Sequence, residues 1–448
     1  MKFKSKNFWS YPKIVALGFL MLIALGTVLL MLPVSSRDGS STSFIEALFT
    51  SSSASCVTGL VVVDTFAHWS VFGQIVILCL IQVGGLGFLT ILTMFSMLFH
   101  RKIGLKERSL LQESVNTMYI GGIVRLIRKI LFGTIVIELI GAALLSIRFI
   151  PMLGAGRGIY TSIFTSVSAF CNAGFDLMGR FEEFSSLVMF RDDILVTGVV
   201  SLLILIGGIG FFVWDDISVN RHHIGRYQLH TKLVLIATLV LTILGTAAFC
   251  FVEYNNELAG MNAAGKINAS FFMSVTPRTA GFNTVDIAGM SPGGKFLTIV
   301  YMFIGGNPGS TAGGVKTITI IVLILSAWSS LRNYGSVNVM KRRLESDVLK
   351  RAASVITINL SLIIISIMII AAVQNTLDLT DITIEVFSAI DTVGMSTGIT
   401  RELNNISRIV IIFLMYCGRV GSLSFALLFT EKKAPQTVMN PVEKINIG

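Results

Sequence analysis

The chain has 448 residues, of which 53% are apolar and only 13% charged. A soluble domain carries about 25% charge, so the few polar side chains here cannot cover the core; this excludes a soluble enzyme, a disordered chain and a disulfide-stapled secreted domain, and makes lipid the natural solvent. The formal charge of +10 is not a nucleic-acid signal, because Lys and Arg fall in short segments between apolar runs.

The first apolar run, Ile14 to Leu32, ends at Pro33 without a small-x-small cleavage site. It reads as a retained spanning helix, not a signal peptide. Further runs long enough to cross about 30 Å of hydrocarbon lie at 71–99, 127–150, 194–214, 231–252, 296–328, 352–373 and 408–429, which makes eight. Between the two members of each successive pair lies a shorter apolar stretch, at 43–55, 160–171, 268–276 and 383–390. These cannot cross, and fit re-entrant half-helices buried in protein. The N-terminus and the segments after even-numbered spans carry 23 Lys and Arg, against 10 in the segments holding the short stretches. Positive-inside then places both termini in the cytoplasm and the short stretches outside, on a face of net charge −6. The five cysteines (Cys56, Cys79, Cys171, Cys250, Cys417) form no CxxC and no ligand cluster. The histidines fall outside spans or at their ends.

The four short segments superimpose. Phe49-Thr-Ser-Ser-Ser-Ala-Ser-Cys-Val-Thr-Gly59, Phe164-Thr-Ser-Val-Ser-Ala-Phe-Cys-Asn-Ala-Gly174, Phe271-Phe-Met-Ser-Val-Thr-Pro-Arg-Thr-Ala-Gly281 and Ile384-Glu-Val-Phe-Ser-Ala-Ile-Asp-Thr-Val-Gly394 each place an apolar residue ten before a glycine. A second feature follows at 25, 33, 24 and 24 residues: Gly84-Gly85, Gly207-Gly208, Gly305-Gly306 and Gly418-Arg419. The expected fold is therefore an all-α polytopic membrane protein of four span–pore-helix–span (M1-P-M2) repeats, eight transmembrane helices plus four re-entrant pore helices, in pseudo-fourfold arrangement around a pore. The repeats are 1–110, 111–225, 226–340 and 341–448 with the C-terminal tail. Each contains an even number of crossings, so all share one orientation, unlike inverted-repeat transporters.

Four such loops meeting on an axis present backbone carbonyls that can replace an ion's hydration shell. Glycine supplies the dihedrals this requires, and the pore-helix C-termini aim their partly negative ends inward, favouring a cation. The lining residues are Val57, Thr58 and Gly59; Asn172, Ala173 and Gly174; Thr279, Ala280 and Gly281; Thr392, Val393 and Gly394. No ring of carboxylates is offered, which disfavours a divalent-cation filter.

These loops, with Met302-Phe-Ile-Gly-Gly-Asn-Pro-Gly-Ser-Thr-Ala-Gly-Gly-Val-Lys316, resemble the Trk/Ktr/HKT superfamily of potassium translocators over essentially the whole chain, most closely the bacterial KtrB-type membrane subunit. The resemblance implies a potassium-uptake subunit of a bacterial plasma membrane, a homodimer in lipid bound by a cytoplasmic ring of KtrA-type nucleotide-binding regulatory proteins, with K+ held by filter carbonyls and Na+ as a coupling or activating ion in some members. Only the fourth loop keeps Thr-Val-Gly, and each has one filter glycine, which implies fewer ordered ion sites than a potassium channel's. A sodium-coupled potassium symporter of weaker selectivity is the alternative reading.

The sixth run is interrupted. Gly305, Gly306, Asn307, Pro308, Gly309, Ser310, Thr311, Ala312, Gly313 and Gly314 cannot form a continuous helix, since glycine costs about 1 and proline about 3 kcal/mol against alanine. An unwound stretch at that depth must line a cavity, and residues 305–316 read as an intramembrane gating loop. It is not a phosphate-binding loop, because Val315 separates Gly314 from Lys316 and no strand precedes it. Away from span ends, only Lys316, Arg419 and Glu138 are charged within the spans. Lys316 is expected to anchor the gate to an acid or to snorkel. Arg419 is expected to face the pore beside the gate, or to pair with Glu138. No nucleophile, paired acids or metal cluster sits in the spans, which argues against a lipid-modifying enzyme and leaves no catalytic residue.

Overall fold

The structure, a computed structural model, describes residues 11–87, 90–91, 93–94, 104, 122–332, 336–421 and 425. The expected continuation of the second span to residue 99, the basic segment 101–108 and the end of the eighth span lie largely or wholly outside the described residues.

The chain is a helical membrane protein. In chain order its helices are α1 (Tyr11–Met31), α2 (Phe44–Cys56), α3 (Val71–Leu86), α4 (Ile123–Leu153), α5 (Ala155–Phe170), α6 (Ile194–Ile209), α7 (Phe211–Asn220), α8 (Leu229–Val252), α9 (Ala263–Val275), α10 (Pro292–Phe303), α11 (Thr317–Leu331), α12 (Ser346–Val373), α13 (Leu379–Ile390) and α14 (Asn405–Val420). Among the described residues the β-structure is a two-residue-per-strand hairpin, Asn338–Val339 with Arg342–Arg343, and a single bridge between Ser36 and Trp69. The short stretches are the helices α2, α5, α9 and α13. Side chains fix where many of these helices begin: Ser43, Ser70, Asp193, Asn262, Ser291, Asp378 and Asn404 each accept a first-turn N–H at the helix start.

The eight expected spans divide into two kinds. Among the described residues, the first member of each pair is a helix long and apolar enough to cross a membrane: α1 from Lys13, α4, α8 and α12. The second member is broken in each pair. α3 stops at Leu86 and α14 at Val420, and α6 stops at Ile209 before α7 leaves at 91°. α10 and α11 are separated by residues 304–316. The breaks coincide with glycines of positive φ: Gly87 (85°), Gly210 (105°), Gly309 (67°) and Gly421 (90°). Three of these lie three residues after the first glycine of the registered pairs, so Gly-Gly-x-Gly is a helix followed by its stop. The sequence analysis missed this third glycine.

Burial runs opposite to hydrophobicity. The short helices lie at the centre, with Thr50, Ser51, Ser52, Ser53 and Ser55 of α2 and Ser162, Thr165, Ser166 and Ser168 of α5 buried. The long spans expose large apolar side chains, such as Leu25 (59%), Phe132 (71%), Ile243 (58%) and Met368 (66%), as a lipid-facing surface requires. Serines on the short helices bond the long ones. Ser51 Oγ donates to the Ile23 carbonyl and Ser166 Oγ to that of Glu138, both at 2.7 Å and both across 28 residues.

The registered glycines allow the second spans to touch the ends of the short helices. A Cβ on Gly84 would fall on the Ser55 carbonyl, one on Gly207 on that of Phe170, and one on Gly418 on that of Ile390. Each acceptor lies four residues before its loop glycine. Nothing lies within 4 Å of a Cβ at Gly198 of the same helix α6. We therefore expect Gly207→Val to lower stability by about 2–4 kcal/mol through overpacking, and Gly198→Val to change it little, in thermal unfolding of the detergent-solubilised protein.

Candidate functional site

The short helices end in one geometry. At α2, α5 and α13 the N–H of Val57, Asn172 and Thr392 donates to the carbonyl three residues back, at 3.2, 3.1 and 3.2 Å. The next N–H, of Thr58, Ala173 and Val393, donates five back to Ser53, Ser168 and Ser388, at 2.8 Å each. This is the Schellman arrangement, which needs positive φ at its turning residue. Val57, Asn172 and Thr392 adopt φ of 59°, 58° and 49°, and Thr279 of the third loop adopts 65°. For residues with a Cβ this costs about 1–2 kcal/mol each and persists only where the surroundings enforce it. Ser53 Oγ and Ser388 Oγ add to the enforcement by accepting the N–H of Gly59 and Gly394, both at 3.0 Å. The third loop has Val275 at that register, and Thr276 Oγ1 donates to the Phe282 carbonyl at 2.6 Å in its place.

Two residues beyond each turn stand Gly59, Gly174, Gly281 and Gly394, with φ of 97°, 69°, 78° and 94°. They meet. A Cβ on Gly59 would lie 2.5 Å from the Ala173 carbonyl oxygen, one on Gly174 2.8 Å from that of Ala280, and one on Gly281 2.5 Å from that of Val393. One on Gly394 would fall on the Thr58 carbonyl oxygen. The contacts run from loop one to two, two to three, three to four and four back to one, so the turns close a ring in chain order. All twelve residues singled out from the sequence lie in these turns, and the eight that are not glycine are at most 1% exposed.

A cavity of about 370 Å³ opens on one face of the ring and touches all four glycines. Its wall carries Asp64, Asp176, Glu182, Glu183 and Asp286 against a single base, Arg401. Arg401 is tethered over the Phe184 ring at 4.5 Å. Asp64 is fixed by the N–H groups of Phe66 and Ala67, at 2.8 and 2.7 Å. Partial burial, with Asp64 adding repulsion, pushes the Asp176 carboxyl up to about 6.

The unwound segment 304–316 covers the opposite face. Thr311 Oγ1 donates to the Phe170 carbonyl at 3.1 Å and to Asn172 Oδ1 at 3.3 Å. Gly313 abuts Thr392, and Gly305 abuts Thr279. Asn307 donates to the Gly208 carbonyl through its backbone N–H and its Nδ2, both at 3.1 Å. Phe211 N–H donates to the Gly309 carbonyl at 2.8 Å. Ser310 Oγ closes the Asn307–Ser310 turn at 2.6 Å. Arg419 Nη1 donates to the Thr311 carbonyl at 2.5 Å, while Nη2 donates to the carbonyls of Gly84 and, at 3.0 Å, Gly85. Pro308 and Ala312 lie in the same segment.

Two expectations for charged residues change. Arg419 does not pair with Glu138, whose Oε2 accepts from Gln82 Nε2 at 3.3 Å; the guanidinium bonds the carbonyls of Gly84, Gly85 and Thr311. Lys316 does not snorkel: its Nζ folds back on the carbonyls of Ala312 and Gly313, at 2.8 and 2.9 Å, with the Asp391 carboxyl as its acidic neighbour. Among the buried ionisable residues that the sequence pattern does not mark, two lie in the ring turns themselves. Arg278 and Asp391 each stand three residues before a loop glycine, where the first two loops have Cys56 and Cys171. That shared register was the available signal. Arg278 donates to Thr242 Oγ1 at 2.7 Å and to the Ser274 carbonyl at 3.2 Å, and Asp391 accepts from Val315 N–H.

A ring of backbone turns with an acidic mouth defines a site for cations, not for covalent chemistry. The family model for TrkH, described as a cation transport protein, matches residues 6–440. The chain belongs to this Trk/Ktr family. It is 40% identical to the potassium/sodium uptake protein NtpJ of Enterococcus hirae over 100% of this chain and 99% of the relative. It is also 40% identical to the Ktr system potassium uptake protein B of Bacillus subtilis, over 94% and 93% of the two chains. The Vibrio alginolyticus protein of the same name is 33% identical, over 98% and 95%. The solved potassium transporter TrkH of Vibrio parahaemolyticus shares the fold, with a TM-score of 0.75 over 96% of this chain and 87% of that one, at 17% identity.

Because Arg419 reaches two repeats at once, we expect Arg419→Gln to loosen the 304–316 segment. A cysteine placed at Ser310 should then react with a small thiol reagent about tenfold faster than in a chain that keeps the arginine.

Proposed function

We propose that the chain is the pore-forming subunit of a potassium-uptake system in a bacterial plasma membrane, with both termini cytoplasmic. The ring closed by Gly59, Gly174, Gly281 and Gly394 carries this reading. In it, carbonyls of the four turns replace the hydration shell of K+, short-helix C-termini stabilise the cation, and the acidic vestibule faces outward and concentrates cations before entry. The four repeats, 1–110, 111–225, 226–340 and 341–448, are arranged about the pore axis. No catalytic chemistry is required: a membrane potential supplies about 2.3 kcal/mol per charge per 100 mV. Residues 305–316 with Arg419 form the gate, closed in this structure, since they occupy the face of the ring opposite the vestibule. The Ktr relatives' names speak of a system, which supports further components; in this reading they are a cytoplasmic regulatory ring of the KtrA type acting on a homodimer. The name of the Enterococcus relative favours a second reading, in which sodium is co-transported or activates uptake.

Gly281→Ser tests the ring. A side chain at φ 78°, facing the Val393 carbonyl, displaces the third turn. The preference for rubidium over sodium in cellular uptake should fall about tenfold, and an unchanged preference refutes the filter assignment. Comparing rubidium uptake with and without sodium separates the two readings.

The vestibule has its own signature. Asp176, pushed up to about 6, is ionised above that pH and neutral below it. Subsaturating rubidium uptake should drop about twofold from pH 7 to pH 5, and Asp176→Asn should hold it near the lower level across that range.

A further inference from the structure

We propose that Asp391 is a positioning residue that fastens the intramembrane segment to the fourth turn, so that the filter and the segment beneath it move as one. The idea deepens the gate reading above and rests on it. Asp391 follows the last residue of α13 and precedes Thr392, and it is fully buried. Its Oδ1 accepts the Val315 N–H at 3.1 Å, from the returning limb of the segment. The contact is built for close approach. Gly314 has φ 62°, and a Cβ there would lie 2.9 Å from both the Asp391 carbonyl and Oδ1. Gly313 lies so close to Thr392 that a Cβ would strike its hydroxyl. The other limb is held by Gly207, Gly208, Phe170 and Arg419. Among the described residues, the Asp391–Val315 bond is the side-chain bond that ties the fourth turn to the segment. A side-chain oxygen suits the task because Oδ1 can leave Val315 without disturbing the backbone bonds that shape the turn.

The test is initial rubidium uptake by the full-length chain in an uptake-deficient strain without a regulatory partner, with membrane abundance measured in parallel. Asp391→Ala should raise the basal rate about tenfold, about 1.4 kcal/mol, with the rubidium-to-sodium preference unchanged. Asp391→Asn keeps an oxygen for Val315 and should stay within about twofold of the unmodified chain. In a chain shortened within 305–314, which should itself pass more rubidium, Asp391→Ala should add nothing. The proposal is overturned if D391N opens as far as D391A, if D391A changes ion preference without changing rate, or if its effect survives in the shortened chain. Should D391A fail to accumulate, D391N decides, because an acceptor role requires it to behave as the unmodified chain. A shortened chain that passes no more rubidium than the full one would instead remove the gate reading itself.

Discussion

Four backbone turns approach so closely that a single added carbon on any of their glycines would collide with a carbonyl oxygen of the next turn. Much of the architecture serves that contact. Each turn must reverse sharply off a helix end, which calls for positive φ two residues before the glycine, at Val57, Asn172, Thr279 and Thr392. In three of the four loops those conformations are held by bonds to residues three and five back and, in two of these, by a serine hydroxyl. The short helices therefore carry serine and threonine on faces that a soluble core would fill with leucine. They stay buried because long apolar spans surround them.

The same constraint governs the second spans. To brace a turn from behind, a span must bring its backbone against the last carbonyls of the short helix, and only glycine permits this at Gly84, Gly207 and Gly418. A straight helix continuing past that point would keep its course through the bilayer. Instead each second span breaks at a further glycine of positive φ, and in the third repeat the break widens into the segment 304–316. The segment is thus an enlarged form of the break that α6 and α7 make at the single residue Gly210.

Hydrophobicity alone located the first span of each pair and the short helices to within a turn or two of helix, because a run of twenty apolar residues has few other uses. The glycine register located the ring, since the spacing of a repeat reports geometry directly. The breaks were not legible in the same way. Apolar side chains continue through Leu86–Gly87–Phe88 and Ile209–Gly210–Phe211, so a hydropathy reading sees one span where the backbone turns. Asp391 and Arg278 escaped for another reason. Each lies within a loop expected to be lined by neutral groups, and nothing in a linear reading distinguishes a side chain facing the axis from one facing backwards into the packing. The partners of Arg419 were equally hidden, because they are backbone carbonyls, which every residue has.

That choice of partners bears on how the segment could leave its seat. Arg419, Asn307 and Thr311 hold it through carbonyls or single side-chain oxygens, and Lys316 ties it back on itself. A plug held by buried leucine would leave an empty cavity on withdrawal and cost several kcal/mol. Polar contacts can be exchanged for water as the space floods, so each contributes only about 0.5–1.5 kcal/mol net. The seating of the segment is therefore specified by geometry more than by depth of energy. A modest displacement of α7, whose Phe211 N–H holds the segment's tip, or of α14, which carries Arg419, would change several of these bonds together. α7 begins at the glycine break of its second span at Gly210, and α14 ends at the break at Gly421.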